Sequence, residues 1–251
     1  MKLRSRAIFR FAFSVAAFGL CLTAAPAAMA ACHEAAATGV NWSGCIKHSA
    51  RLHGADLSGA NLTGADMRFA FLDDANLTGA DLTGAILAHA RLGDANLTDA
   101  KLTGAKLGAA FLDDANLTGA DLTGAQLSHA FLVHAILRSA NLRNAILVNT
   151  NLTGAKLGGA DLTGAQLSHS HLPHADLRRA DLRNAILVNA DLTGAVLSGA
   201  DLTGADLRNT KLRFAYLNSV DLSNADLTGA DLSGAIVEGH RCAEGSIGSC
   251  E

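Results

Sequence analysis

Hydrophobic residues recur along this chain with a period of five. Leucine occupies every fifth position from Leu52 to Leu232, with one exchange at Met67, and the series ends at Val237. A small residue, nearly always alanine, lies two positions before each of them. The register runs through residues 50–237 without an insertion or a deletion, so one repeating element makes up about three quarters of the 251 residues.

A five-residue period fits neither an ordinary helix nor a flat strand. Five residues advance an α-helix by about 500°, so successive leucines would lie about 140° apart around it. In a flat strand, an odd period places alternate leucines on opposite faces. A chain that turns a corner once per repeat can bury every leucine. Gly, Asn, Asp and Ser dominate the position two after leucine, and these residues suit the tight turn that such a corner requires.

The repeat resembles the motif of the pentapeptide repeat family, which is usually written A-[DN]-L-x-x. Residues 75–85 read A-N-L-T-G-A-D-L-T-G-A, and the resemblance extends over residues 50–237. It implies an all-β fold, a right-handed quadrilateral β-helix in which four corners close one coil of 20 residues. The repeats would form about 9 to 10 coils. With strands about 4.8 Å apart, the rod would be roughly 45 Å long.

The first 30 residues have the features of a secretory signal peptide. Four basic residues come before a short apolar run at 11–22, and residues 28–30 (Ala-Met-Ala) offer a small-residue cleavage site. Cleavage after Ala30 would move the formal charge from -3 to -7. We therefore expect an exported bacterial protein, periplasmic or extracellular, with no membrane attachment after the signal is removed.

Four cysteines remain after this segment, one pair near each end of the chain: Cys32 and Cys45, then Cys242 and Cys250. An even number of cysteines in an oxidising compartment predicts two disulfides. The alternative is a lipoprotein anchored at Cys32, because residues 29–32 (M-A-A-C) loosely resemble a lipobox. Acylation of Cys32 would leave Cys45 as a free thiol.

The cysteines lie in two terminal segments outside the repeats. Residues 31–49 are expected to form an irregular N-terminal cap, in which Trp42 plugs the first coil and Lys47 breaks the leucine pattern. Residues 238–251 are expected to form a disulfide-bonded tail, which resembles the cysteine-bounded tails of many exported pentapeptide repeat proteins. The chain thus divides into a signal peptide (1–30), a cap (31–49), a β-helix (50–237) and a tail (238–251).

Large apolar residues replace polar ones at several outward positions. Within about two coils these are Phe111, Phe131, Val133, Ile136, Ile146 and Val148. A contiguous exposed apolar patch indicates an interface. We predict that this patch binds an unknown protein partner or a second copy of the chain.

Positions 20 apart should stack, which predicts a nearly acidic column on another face. This column contains Asn61, Asp81, Lys101, Asp121, Asn141, Asp161, Asp181, Asp201 and Asp221. It resembles the DNA-like charge pattern by which some cytoplasmic family members bind DNA gyrase. An inhibitor that mimics nucleic acid and acts on such an enzyme is therefore the alternative function, if the chain is cytoplasmic. Asp or Asn before leucine is also the default turn chemistry of the family.

The sequence contains no recognisable catalytic constellation: no phosphate-cradling glycine-rich motif, no nucleophile elbow, and no acid and base pair in a concavity. Histidines recur 40 positions apart, at His89, His129 and His169. At that spacing the rings would be about 9.6 Å apart, which is too far to share a metal. The alternative is the local group His169, His171 and His174, whose rings could meet near one corner and bind a metal adventitiously. Acidic residues outnumber basic ones after residue 30, so nucleic-acid binding is not expected. We predict a non-enzymatic structural or protein-interaction module without cofactor or metal.

Overall fold

The computed structural model describes residues 32–237, and one coil geometry runs through nearly all of them. Parallel bridges of single residues join positions that are 20 apart, from the pair Asn41 and Asn61 to the pair Tyr216 and Ile236. The bridged residue is always the one before the leucine position. One coil therefore contains 20 residues and four short sides, and no α-helix occurs between residues 32 and 237.

Each repeat is hydrogen-bonded to the next coil through its backbone. In the repeat around Leu62, the Leu62 N–H donates to the carbonyl of Asp81 at 2.7 Å, and the Asp81 N–H donates back to Ala60 at 2.9 Å. The Gly64 N–H donates to the carbonyl of Thr83 at 2.9 Å. Backbone hydrogen bonds thus connect each repeat to the adjacent coils, which makes the rod rigid.

The corners are tight turns that need an unusual backbone conformation. The alanine after each corner donates its N–H to the preceding leucine carbonyl, as Ala65 does to Leu62 at 3.0 Å. The residue two after leucine has a positive φ at every corner from Gly39 to Gly234, at 18 glycines and 22 other residues. A single positive φ at the third turn position is the signature of a type II turn. Bulky residues such as Phe69 occupy it at a cost of about 1–2 kcal/mol.

The interior consists of stacked leucine and alanine side chains. From Leu57 to Leu217 the leucine position is essentially inaccessible to water, and so is the alanine position from Ala60 to Ala215. The few buried hydroxyl groups at the alanine position are hydrogen-bonded to backbone carbonyls. Thr150 Oγ1 donates to the carbonyl of Leu127 at 2.8 Å, and Thr210 makes the same bond in a later coil.

The regular geometry begins about ten residues earlier than the sequence analysis placed it. Asn41 and Ile46 already bridge to the following coil, so residues 41–49 belong to the first coil and not to an irregular cap. Trp42 is 1% exposed and fills the leucine position. Lys47 is tolerated because its side chain in this first described coil is only partly buried. Its ammonium lies 3.6 Å from the centre of the Trp42 ring, and burial lowers its pKa.

The N-terminal disulfide is present as predicted. Cys32 and Cys45 are bonded, with their Cα atoms 5.5 Å apart. Cys45 occupies an alanine position of the first coil and is buried, so the bond fixes residue 32 against the end of the core. The predicted signal peptide, cleavage site and second cysteine pair lie outside the described residues. Nowhere in 32–237 is there a helix long and apolar enough to cross a bilayer.

Candidate functional site

One side of the rod carries a column of aromatic residues. The consecutive bridged residues on this side, called the aromatic face here, are Arg51, Phe71, Arg91, Phe111 and Phe131. The rings of Phe111 and Phe131 are stacked, with centroids 5.1 Å apart and planes at 4°. The Arg91 guanidinium lies 5.8 Å from the Phe71 ring centre. Stacking covers one face of each of these two rings, and both side chains remain exposed.

A second aromatic pair borders this face at the preceding corner. Phe69 and His89 stack with centroids 5.0 Å apart, and Phe69 is 54% exposed. Both residues have positive φ. The predicted patch included neither of them, nor Phe71. Their spacing of 20 residues was the signal that could have indicated a pair.

The structure distributes the six residues of the predicted patch over three sides of the rod. Only Phe111 and Phe131 lie on the aromatic face. Ile136 bridges Asn116 on the following side, whereas Ile146 lies on the side before the aromatic face, half a coil from Ile136. These two isoleucines therefore point away from each other. Val133 and Val148 occupy the two corners between these sides, and all four aliphatic residues are half-buried.

Carboxylates line the corner that follows the aromatic face. Asp73 pairs with Arg91 at 3.2 Å, and Asp113 accepts the backbone N–H of Val133 at 2.9 Å. The same corner also carries Asp74, Asp94 and Asp114. The aromatic face thus has an acidic border, which would complement an apolar and basic partner surface.

The predicted acidic column exists, but cations interrupt it. Lys101 lies within the column. Arg143 pairs with Asp161 at 3.1 Å, and Arg183 pairs with Asp181 at 2.5 Å. The Arg183 guanidinium holds the pKa of Asp181 below its usual range. These pairs weaken the resemblance to a continuous nucleic-acid charge pattern.

The carboxylates of this column also have a local structural task. Asp81 accepts the N–H of Thr83 at 3.0 Å, and the hydroxyl and the N–H of Thr83 together lower the pKa of Asp81. Asn61 makes the same contact with the N–H of Thr63 at 3.2 Å. Such bonds to the backbone two residues on stabilise turns. The Asp and Asn positions are thus explained by turn formation.

Metal binding has no geometric support in the part of the chain that the structure describes. Residues 32–237 contain no group of three His, Cys, Asp or Glu side chains that could hold an ion together. The histidines at 169, 171 and 174 are spread over one corner, one side and the next corner.

Comparisons with known proteins agree on one family. The family model "Pentapeptide repeats" matches eight times, over residues 30–68, 60–99, 75–113, 95–132, 120–159, 135–172, 160–199 and 200–239. No curated protein sequence matches the chain.

Among solved structures, the chain is similar to HetL, a pentapeptide repeat protein involved in heterocyst differentiation regulation from the cyanobacterium Nostoc sp. strain PCC 7120. The two share 38% identity with a TM-score of 0.78, over 81% of this chain and 91% of HetL. A pentapeptide repeat protein of the Arabidopsis thaliana thylakoid lumen shares 34% identity over 38% of this chain and 70% of its own, with a TM-score of 0.21.

The repeat geometry, the family model and the similarity to HetL lead to the same assignment. They support the right-handed quadrilateral β-helix that the repeat motif implied. The chain belongs to the pentapeptide repeat family.

Proposed function

We propose that this chain is an exported, non-enzymatic rod that binds a protein, either a partner or a second copy of itself, through its aromatic face. The observation that carries the proposal is the exposed column of Phe71, Phe111 and Phe131. Their exposed fractions are 39%, 42% and 39%. Elsewhere the chain places mostly Asp, Asn, Lys or Gln at the corresponding position.

An aromatic column on a rigid rod is well suited to protein binding. Aromatic residues are enriched in the cores of interfaces. Their side chains have only two torsions, and here the ring stacking restricts these further, so little conformational entropy remains to be lost on binding. The bonded coils hold successive rings at a fixed spacing, and the acidic corner next to them adds charge selectivity.

A non-enzymatic role is supported by how the interior is filled. Leucine and alanine side chains occupy the inward positions of the coils, which leaves no room for a buried catalytic cavity. The aromatic face is open to solvent, with a recess of about 390 Å³ lined by Arg51, His53, Phe71, Asp73 and Arg91, whereas substrate sites usually bury most of their ligand. An open and rigid surface of this kind suits another macromolecule better than a small substrate.

Export is supported by the composition of residues 1–30 and by the Cys32 and Cys45 disulfide. Disulfides persist mainly in oxidising compartments. The same bond occupies the sulfur that lipoprotein acylation at Cys32 would require. A soluble periplasmic or extracellular protein is therefore favoured over an anchored one.

Cell fractionation with mass spectrometry tests the export. We expect a mature chain that begins at Ala31 in the periplasm or the medium. Full-length chain in the cytosol would contradict export and would favour the alternative, an inhibitor of a DNA enzyme such as gyrase. A DNA supercoiling assay would then test that alternative directly.

Paired charge substitutions test the aromatic face. Phe111→Asp combined with Phe131→Asp should weaken association at least tenfold, because two carboxylates would replace the apolar contact. Association is measured by sedimentation velocity for the purified chain and by cross-linking in the exporting compartment. The matched control is Gln126→Asp with Gln166→Asp, which adds the same charge on the neighbouring side and should leave association unchanged. Equal association of all three proteins would refute the assignment of this face.

A further inference from the structure

A groove of about 750 Å³ runs along one corner of the rod, far around the coil from the aromatic face. Its middle, called the arginine notch here, is formed by Arg138, Gly158, Gly159, Arg178 and Arg179. Arg138, Gly158 and Arg178 are 20 residues apart and so follow one another in successive coils. The proposed protein-binding function does not use this surface.

The floor of the notch is the only Gly-Gly pair in the sequence. Gly159 has a φ of +67°, so the turn itself explains that glycine. Gly158 has no positive φ, and a Cβ there would approach nothing closer than the Arg178 carbonyl oxygen at 3.7 Å. Neither backbone conformation nor crowding requires a glycine at this position. In earlier coils the same position holds Thr78, Thr98 and Thr118. The missing side chain opens the notch.

The two arginines on either side of Gly158 are separated by two coils, or about 9.6 Å along the rod. Arg178 is held in place by Asp176, with Nε donating to Oδ1 at 2.7 Å and Nη2 donating to Oδ2 at 2.6 Å. No protein hydrogen bond within 32–237 uses its Nη1. The guanidinium is therefore fixed in position while part of its donor capacity is unused.

Positive charge is in excess at the notch. Asp176 also lines the groove, and its pKa is lowered by Arg178 and, more weakly, by Arg138. Among the described residues, no carboxylate oxygen lies within 4 Å of Arg138 or Arg179. Arg138 and Arg178 thus share one carboxylate and Arg179 adds a third cation to the groove, on a chain whose formal net charge is -3. Unpaired arginines around a gap favour an anionic ligand.

We propose that the arginine notch binds a phosphate-bearing ligand. A tetrahedral oxyanion seated above Gly158 would accept hydrogen bonds from guanidinium groups on both sides, because its oxygens point in several directions. Arginine suits this task because its planar donor fork matches phosphate oxygens. The Ser198 hydroxyl, one coil beyond Arg178, lines the same groove and extends the site for a polar group next to the phosphate. A free phosphate compound and a phosphorylated lipid headgroup share this chemistry.

The test measures two probes at constant ionic strength. Radiolabelled inorganic phosphate is followed by equilibrium dialysis with chloride as the competing anion. Vesicles of phosphatidic acid in phosphatidylcholine are followed by co-sedimentation, with pure phosphatidylcholine vesicles as the blank. Binding of inorganic phosphate would show that a soluble phosphate compound can occupy the site. Co-sedimentation with the acidic vesicles without binding of inorganic phosphate would show that the ligand is a lipid headgroup.

Two variants should reduce binding at least tenfold. Gly158→Thr fills the notch with the residue that the same column carries at Thr118, so it should fold normally. Arg138→Gln with Arg179→Gln removes the two guanidinium groups that have no carboxylate partner. The control is Arg208→Gln, because Arg208 makes the same two-bond contact with Asp206 on a corner that has no Gly-Gly pair. It should bind like the unmodified chain.

Two results would overturn the proposal as a whole, and a third, given last, would overturn the position of the site. One is the absence of binding to either probe. The other is an equal loss of binding in the Arg208→Gln control, which would show that binding depends on overall charge rather than on the notch. Circular dichroism and thermal melting of each variant confirm that a loss of binding does not come from unfolding. Retention of binding by Gly158→Thr with loss in the arginine double variant would place the ligand beside the notch, which also contradicts the proposed site.

Discussion

Replacing Leu122 with alanine is expected to lower the free energy of unfolding by about 2–5 kcal/mol. Leu122 is fully buried, and Leu102 and Leu142 occupy the same column in the coils before and after it. The backbone bonds hold these coils at a fixed distance, so the column cannot collapse into the space that the side chain leaves. The cavity therefore persists, and the cost should lie in the upper part of the range. Urea unfolding followed by circular dichroism measures it.

Leu232→Ala is the matched control for this prediction. Leu232 occupies the same repeat position in the last described coil, where it is only partly buried. Its truncation removes less buried apolar surface than truncation of Leu122 does. The loss should be clearly smaller than for Leu122→Ala. Equal losses at both positions would show that confinement by neighbouring coils does not govern the cost.

Removing the N-terminal disulfide by Cys45→Ala is expected to lower stability by about 2–4 kcal/mol. The substitution is well matched, because Cys45 lies at a position that most repeats fill with alanine, so no cavity or crowding accompanies it. The cost comes mainly from the freedom that residues 32–45 gain in the unfolded chain. The first coil should open more readily, and hydrogen exchange of the Trp42 and Lys47 amides should accelerate.

Thermal melting with and without a reducing agent measures this effect. Under oxidising conditions, Cys45→Ala should melt below the unmodified chain. Reductant should lower the melting temperature of the unmodified chain and bring it toward that of the variant. Any further shift of Cys45→Ala in reductant would report on the second cysteine pair. Identical melting of the variant and the unmodified chain without reductant would contradict a stabilising role for the bond.

Much of the fold could be predicted because the repeat is local and strictly periodic. A leucine at every fifth residue allows a single way to bury them all. The constant spacing then places residues 20 apart in one column, as in the pair Phe111 and Phe131. The pairing of Cys32 with Cys45 also followed from their closeness in sequence. The start of the first coil was missed, because Lys47 at a leucine position argues against a buried site. The contact with the Trp42 ring and the partial exposure of the Lys47 side chain make it acceptable.

The candidate surfaces were less predictable, because they depend on which side of the four-sided coil each residue occupies. Ile136 and Ile146 are only ten residues apart, and all six residues of the predicted patch lie within about two coils. The sequence therefore suggested one patch. In the four-sided coil, ten residues are half a turn, so the two side chains point away from each other. The arginine notch escaped notice for a related reason: its residues are spread over 40 positions, and its centre is a side chain that is absent.

The sequence by itself determined the coil, its core and the family, because a period of five constrains the backbone through burial and turn chemistry alone. It also determined which residues share a column. The tertiary structure decided which side chains of these columns contact each other. The stacking of Phe111 on Phe131, the fixing of Arg178 by Asp176 and the pairing of Arg183 with Asp181 depend on side-chain directions across coils. Those directions are set by contacts between residues about 20 positions apart or at the two ends of a corner, and the repeat pattern does not encode them.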